Sequence, residues 1–250
     1  MRGLFLSQSI EYRLEVTGDS FSQGDTLHCS LIIKSHADSP TILTDLSLIL
    51  AHGDLKKVKI KDPSAFDPIA PAEIERGCEL PARGQLTFPV TIKLDTNAPI
   101  SDKNHSLYLL YGNSSDINSL GQLLLTVSPH AHLRAIFDTM TTVFNFTPKG
   151  ETFKDGYVTA KLKAPDSRRL SLVNELSLSG RFVDESLELI FLFSVKKFDT
   201  SLTKINVRRG KVEARKMLAP SDYLFGGDFI RPEYIEQIVE SAISEVATGI

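Results

Sequence analysis

Polar and apolar residues alternate with a period of two over much of the chain. Ile10, Tyr12, Leu14 and Val16 are interleaved with Glu11, Arg13, Glu15 and Thr17. The same pattern runs through Leu27, Cys29, Leu31 and Ile33, where Ile32 breaks the polar side, and through Leu86, Phe88, Val90, Ile92 and Leu94. Leu46 to Leu50 is a further apolar run, and Val58 and Ile60 alternate with Lys57, Lys59 and Lys61. Successive side chains of a strand point to opposite faces, so each segment offers one face to a core and one to water. Turn-forming clusters separate them: Gly18-Asp19, Gly24-Asp25, Asp38-Ser39-Pro40, Gly53-Asp54, Pro81 to Gly84, and Asn113 to Asp116. Short strands at this spacing predict an antiparallel sandwich. Pro89 lies inside one run, which predicts an edge strand or a bulge there.

The period then changes. Leu133, Ile136, Phe137 and Met140 stand at helical spacing behind Pro129, predicting a short helix near 130–140. Strand signals resume at Val143 to Phe146, Tyr157 to Leu162, Leu170 to Leu178, Leu187 to Val195 and Ile205 to Val212. A last helix opens at Pro232, with Ile235, Ile238, Val239, Ala242, Ile243 and Val246 as its apolar stripe. Glu233, Glu236, Gln237, Glu240 and Glu245 lie outside the stripe, and the first two also favour the helix N-terminus. Gly18 to Gly24 aligns with Gly150 to Gly156 at an offset of 132, and Asp45 to Leu48 with Glu175 to Leu178 at 130. Two similar offsets point to an internal duplication. The expected architecture is all-β: two tandem antiparallel β-sandwiches of one topology, 1–128 and 129–250, with a short linker helix between them and a C-terminal amphipathic helix.

Composition narrows the function. With 28 Lys+Arg against 31 Asp+Glu the net charge is −3, which argues against a general nucleic-acid binder. Two cysteines exclude a disulfide scaffold and fit a reducing compartment. Met1 to Ser9 lacks the apolar core of a secretory signal, and no run reaches the ~18–20 apolar residues of a transmembrane helix. A cytoplasmic protein is expected.

Several motifs resemble the arrestin-like superfamily. They are Phe21-Ser22-Gln23-Gly24-Asp25-Thr26-Leu27, then Leu80-Pro81-Ala82-Arg83-Gly84-Gln85-Leu86-Thr87-Phe88-Pro89-Val90, then Pro99-Ile100-Ser101 before Ser106-Leu107-Tyr108-Leu109-Leu110-Tyr111. Their order and spacing match over residues 10–128, and the second half joins through the internal repeat. In character the chain is nearest the bacterial sporulation-control proteins of arrestin-like fold, and more distantly the arrestin-like retromer subunit. The chain is much shorter than animal arrestins, lacks Trp and shows no long acidic or clathrin-binding tail, so receptor and clathrin roles are not expected to carry over. The resemblance implies a non-enzymatic scaffold, adaptor or regulatory protein whose partners are other proteins.

Candidate chemistry is sparse. No Gly-x-Ser-x-Gly elbow, Walker A loop, dinucleotide glycine motif or His-Glu-x-x-His occurs. His130 and His132 are the tightest histidine pair, but i, i+2 spacing does not converge on a helix, and only Asp138 lies nearby as a further ligand. They read as a polar helix cap facing solvent, so no metal, catalytic residue or cofactor is expected. Cys29 reads as a small buried hydrophobe, and Cys78, in the polar stretch 75–80, as exposed. A strand over 56–61 would place Lys57, Lys59 and Lys61 on one face about 7 Å apart, a ladder suited to a phosphorylated or acidic ligand or to protecting an edge. Arg208, Arg209, Lys211, Arg215 and Lys216 form a second basic stretch. The terminal helix must bury its stripe against its own domain or, failing that, in a homodimer. Two rival readings stand beside the adaptor. One is a β-sandwich enzyme acting on carbohydrate or lipid with acids such as Asp45, Glu175 and Glu185. The other is a peripheral phospholipid-binding protein, which the acidic face of the last helix disfavours.

Overall fold

The computed structural model describes residues 1–72, 74, 77–201, 204–226 and 229–248, and within them all side chains except those of 169, 197–201, 204–209 and 246–248. The chain divides into two compact units, Met1–Ser128 and Pro129–Ile250.

The first unit opens with β1 (Arg2–Ser7), β2 (Ile10–Val16), β3 (Phe21–Ser22), β4 (Thr26–Ser35), β5 (Thr41–Leu43) and β6 (Leu46–Asp54). A one-turn helix α1 (Leu55–Lys59) follows, then β7 (Phe66–Pro71), β8 (Cys78–Leu80), β9 (Gln85–Lys93), β10 (His105–Asn113), β11 (Gly121–Leu125) and β12 (Val127–Ser128). One sheet has the order β1-β2-β4-β9 and the other β11-β10-β6-β7, both antiparallel throughout. The alternating apolar residues fill the space between them: Tyr12, Leu14, Leu31 and Ile33 from one side, Leu48, Leu50, Leu107 and Tyr111 from the other. Pro89 lies on edge strand β9, where a missing N–H costs no ladder bond. β1 sits on the opposite edge, built from a segment with no clear alternating signal. β10 is buried on both faces, because Tyr108 and Leu110 join Ala51, Phe66 and Leu120 in a second apolar cluster on the outer side of its sheet.

The second unit begins with α2 (Ala131–Thr142), so this helix belongs to its packing and not to a linker. The side chain of His130 caps α2, its Nδ1 accepting the His132 N–H at 3.2 Å. The helix ends through Asn145, whose φ of 57° lies in the left-handed region, with the Phe146 N–H donating to the Met140 carbonyl. These C-terminal bonds occupy 143–146, where a strand is predicted from sequence, and the sheet starts only at Thr147. It is a meander of β13 (Thr147–Lys154), β14 (Tyr157–Lys163), β15 (Val173–Val183), β16 (Ser186–Ser201) and β17 (Lys204–Leu218). The helical turn α3 (Pro220–Tyr223), the hairpin β18 (Leu224–Phe225) and β19 (Phe229–Ile230), and α4 (Pro232–Thr248) complete it.

One face of the meander is apolar: Val158, Ala160, Leu176, Leu178, Leu189, Phe191 and Phe193 are all buried. Leu133, Ile136, Phe137 and Met140 of α2 and Ile235, Val239, Ala242 and Ile243 of α4 are buried with them, and α4 touches both α2 and β17. Arg134 clamps α2 to β13 by donating to both carboxylate oxygens of Glu151, at 2.6 and 2.9 Å. The terminal stripe is thus covered inside its own unit over its described residues. The side chain of Val246 is not among those described.

The architecture is of the all-β class, with strands in several antiparallel sheets and few helices. Among the described residues the two units do not share a strand order, which corrects the expectation of one repeated topology. Gly18 to Gly24 links β2 to β4 and carries Phe21 into a short parallel pairing with β12. Gly150 to Gly156 instead runs from a register shift inside β13 into the β13–β14 turn. What the segments share is local: Gly24 and Gly156 have φ of 86° and 79° just before a strand, a conformation that favours glycine.

Gly180 of β15 permits the approach of α2. A Cβ there would lie 2.3 Å from Leu133 Cδ2 and 3.2 Å from Leu189 Cδ2, both in the core. Gly180→Val is expected to destabilise the fold by about 1–3 kcal/mol through overpacking, read as a fall in the urea midpoint. Combined with Leu133→Ala, which vacates the same space, the loss should be smaller than the sum of the single losses. Strict additivity would show that α2 does not pack there.

Candidate functional site

The lysine ladder at 56–61 does not form. Asp54 ends β6 with its Oδ1 accepting the N–H groups of Lys56 and Lys57 at 2.8 and 3.1 Å, which starts α1 in place of a strand. Leu55 and Val58 turn toward the outer apolar cluster. Lys57 Nζ donates to Ser64 Oγ at 3.0 Å, Lys59 is exposed at the end of the turn, and Lys61 lies beyond it at a φ of 56°. Lys57, Lys59 and Lys61 therefore share no strand face. A five-residue helix whose N-terminus is already capped by a carboxylate has little to offer a phosphate.

His130 and His132 do not face solvent as expected. Both are half-buried in an aromatic cluster: His130 packs edge-on against Phe182 at 4.6 Å, and His132 Nδ1 lies 3.1 Å from the Tyr223 hydroxyl. Their role is to seat the start of α2. No group of His, Cys, Asp and Glu suited to a metal ion occurs among the described residues. Cys29 is buried, and burial pushes its thiol up to about 11; Cys78 is half-buried, and neither forms a disulfide. Asp45 lies in the first unit, hydrogen-bonded to the Thr44 hydroxyl at 2.9 Å. Glu175 lies near the start of β15 and Glu185 in the β15–β16 turn past its end; the stretch from Glu175 to Val183, at about 3.3 Å per residue, already spans about 26 Å, far beyond the ~5–9.5 Å of a paired-carboxylate site. In the second basic stretch the side chains of Arg208 and Arg209 lie outside the described residues. Strand alternation splits the rest: Lys216 turns to α4, where it pairs with Glu245 and donates to Ser241 Oγ at 3.2 Å, while Lys211 and Arg215 face the other way.

That other way is the uncovered face of the meander, and the register lays it out in rows. Thr159, Ser179, Ile190 and Arg215 form one row across β14 to β17. Lys161, Ser177, Leu192 and Glu213 form the next, and Lys163, Glu175, Ser194 and Lys211 the one beyond. Tyr157, Arg181 and Glu188 close the opposite end.

This last end is a self-contained charge network. Glu188 Oε2 accepts from the Tyr157 hydroxyl and from Arg181 Nε, each at 2.8 Å. The Arg181 guanidinium lies 4.4 Å over the Tyr157 ring. Arg215 stands 3.9 Å from the other oxygen of Glu188 and donates to Glu213 at 2.7 Å. The Glu188 side chain is only 12% exposed. The Tyr157 hydrogen bond, then Arg181 and the charge of Arg215, hold its carboxyl below the usual range against the opposing effect of burial.

The Lys161 end is different. There a cavity of about 300 Å³ is lined by Lys149, Lys161, Lys211 and Glu175, with Ser177, Ser194 and Leu192 between them. Lys149 is the extra residue where the β13 register shifts between Pro148 and Gly150, and it pairs with Glu175. Sequence reading locates Lys211 in a basic stretch but does not bring it to Lys149 and Lys161, which arrive from two other strands. The signal available was the polar alternation Tyr157, Thr159, Lys161, Lys163.

No family model matches the chain, and no curated protein sequence matches it. Among solved structures the chain is similar to that of Spo0M, a sporulation control protein from Bacillus subtilis. The TM-score is 0.66 at 13% identity, covering 96% of this chain and 99% of that one. The likeness is one of fold, and the fold is all-β and arrestin-like.

The Glu188 network and the two thiols give measurable consequences. Glu188 has a folded pKa below its ordinary 4.5, so its ionised form stabilises the fold above that value, and the contribution drains as pH falls through the lowered pKa. Glu188→Gln is expected to cost about 1–3 kcal/mol near neutral pH by urea titration, and the difference from the parent should shrink in acid. A pH-independent difference would remove the carboxylate from the account. A maleimide reagent should modify Cys78 well before Cys29 in the native protein, and comparable native rates would show that Cys29 is not enclosed.

Proposed function

We propose that the protein is a non-enzymatic regulatory adaptor or scaffold of arrestin-like type, with residues 1–128 and 129–250 as its two domains and other proteins as its partners. The observation that carries this reading is the uncovered face of the meander. A sheet buried on one side presents four rows of half-buried and exposed side chains on the other, stiffened at one end by the Glu188 network. Such a surface is preorganised in its backbone, because strand pairing fixes where each side chain projects. The likeness of fold to a sporulation control protein supports a regulatory role. A paired-carboxylate enzyme draws no support from Glu175 and Glu185, because most of β15 lies between Glu175 and the turn that holds Glu185. No helix among the described residues is long and apolar enough to cross a membrane.

The test uses the full chain. Affinity purification with chemical cross-linking should recover a partner in near-stoichiometric amount, with cross-links to Lys161, Lys163 or Lys211. Ser179→Arg, which plants a bulky charge in the centre of the face, should abolish recovery while leaving the melting curve intact. Undiminished recovery with this variant, or saturable hydrolysis of glycoside or ester substrates by the pure protein, would overturn the reading.

A further inference from the structure

The two ends of the uncovered face satisfy their charges differently. Around Glu188, each arginine has a carboxylate: Arg181 is bonded to Glu188, and Arg215 lies between Glu188 and Glu213. Around the cavity, three lysines face one glutamate, and that glutamate is paired with Lys149. Lys161 and Lys211 enter the same cavity with no ion pair among the described residues. The cavity thus carries two ammonium groups beyond its internal balance. Between them lie the hydroxyl side chains of Ser177 and Ser194, which can donate to an anion.

From this arrangement we propose that the cavity binds a phosphomonoester dianion. Lysine binds phosphate as a point charge and needs no forked geometry, which suits two flexible ammonium groups reaching inward from β14 and β17. A phosphomonoester carries about −1.5 to −2 charges near neutral pH and three acceptor oxygens, which match two ammonium groups and two hydroxyls. A carboxylate offers one charge and two oxygens and leaves one lysine uncompensated. The volume of about 300 Å³ lies at the low end for ligand pockets, so it fits a phosphoryl group and the few atoms that bear it. Leu192 gives those atoms an apolar contact on the cavity wall. The bearer is either a small molecule or a phosphorylated side chain of the adaptor's partner. The second source rests on the adaptor reading, and the phosphate chemistry does not.

The test is isothermal titration of the full chain with three probes: O-phospho-L-serine, a capped peptide containing phosphoserine, and the same peptide unphosphorylated. The phosphorylated probes should bind saturably with a Kd of about 1 mM or tighter, and the unphosphorylated peptide should not. Lys161→Gln and Lys211→Gln should each weaken binding by about tenfold, with melting temperature unchanged. Glu175→Gln should tighten it, because the substitution removes the cavity's own anion and releases Lys149. Lys57→Gln, remote in sequence and in the first unit, should have no effect. Tighter binding of the peptide than of free phosphoserine would assign the ligand to a protein partner, and the reverse to a small molecule. Absence of saturable binding by either phosphorylated probe, or affinity unchanged in the Lys161 and Lys211 variants, would overturn the proposal. Partner recovery by the full chain in that case would leave the adaptor reading standing.

Discussion

A sheet that is apolar on one side must have that side covered, and it leaves the charges of its other side to water and to one another. This constraint organises the second unit. Helices α2 and α4 cover the apolar face of the meander, and Gly180 lets α2 approach until Leu133 takes the place of a side chain. The opposite face holds arginines, lysines and glutamates in fixed rows, where cross-strand partners lie about 4.5–5.5 Å apart. At the Glu188 end the rows neutralise one another. The Lys161 end keeps a positive excess in a concavity, and an excess held in one place by strand geometry is a binding surface in all but occupant.

The first unit solves the same problem differently. Its two sheets bury each other's inner faces, and the outer face of β10 is covered by a smaller apolar cluster that includes Leu55 and Val58 of α1. That outer cluster explains α1. The chain leaving β6 must turn to bring those two residues inward, and the Asp54 carboxylate satisfies the N–H groups that the turn exposes.

How much of this was legible in sequence depended on how many faces each element shows to water. β2, β4 and β9 have one wet face each, and their alternation names them. The stripes of α2 and α4 are equally plain because each helix buries a single side. β10 is dry on both faces, so its run of apolar residues carries no period. The 56–61 segment shows the converse failure: Val58 and Ile60 alternate with lysines, yet the segment is a helical turn and an exit loop, and the deciding signal was a single aspartate before it. The charged cavity was illegible for another reason. Lys149, Lys161 and Lys211 are 12 or more residues apart, and only strand register, including one irregular residue in β13, brings them together. The internal resemblance between Gly18–Gly24 and Gly150–Gly156 reported a turn habit, because the two units order their strands differently.

β17 shows how finely such an arrangement is encoded. Its odd-numbered residues Lys211, Glu213 and Arg215 serve the open face, while the even-numbered Ala214, Lys216 and Leu218 serve the helices. Parity along this strand therefore decides which cations turn to the helices and which reach the open face. Loss or gain of one residue upstream would leave composition and net charge almost untouched, yet it would exchange the two sets, send Lys211 and Arg215 toward the core and turn Ala214 and Leu218 outward. In evolutionary terms the strand should tolerate substitution at its outward positions far more readily than any change in its length.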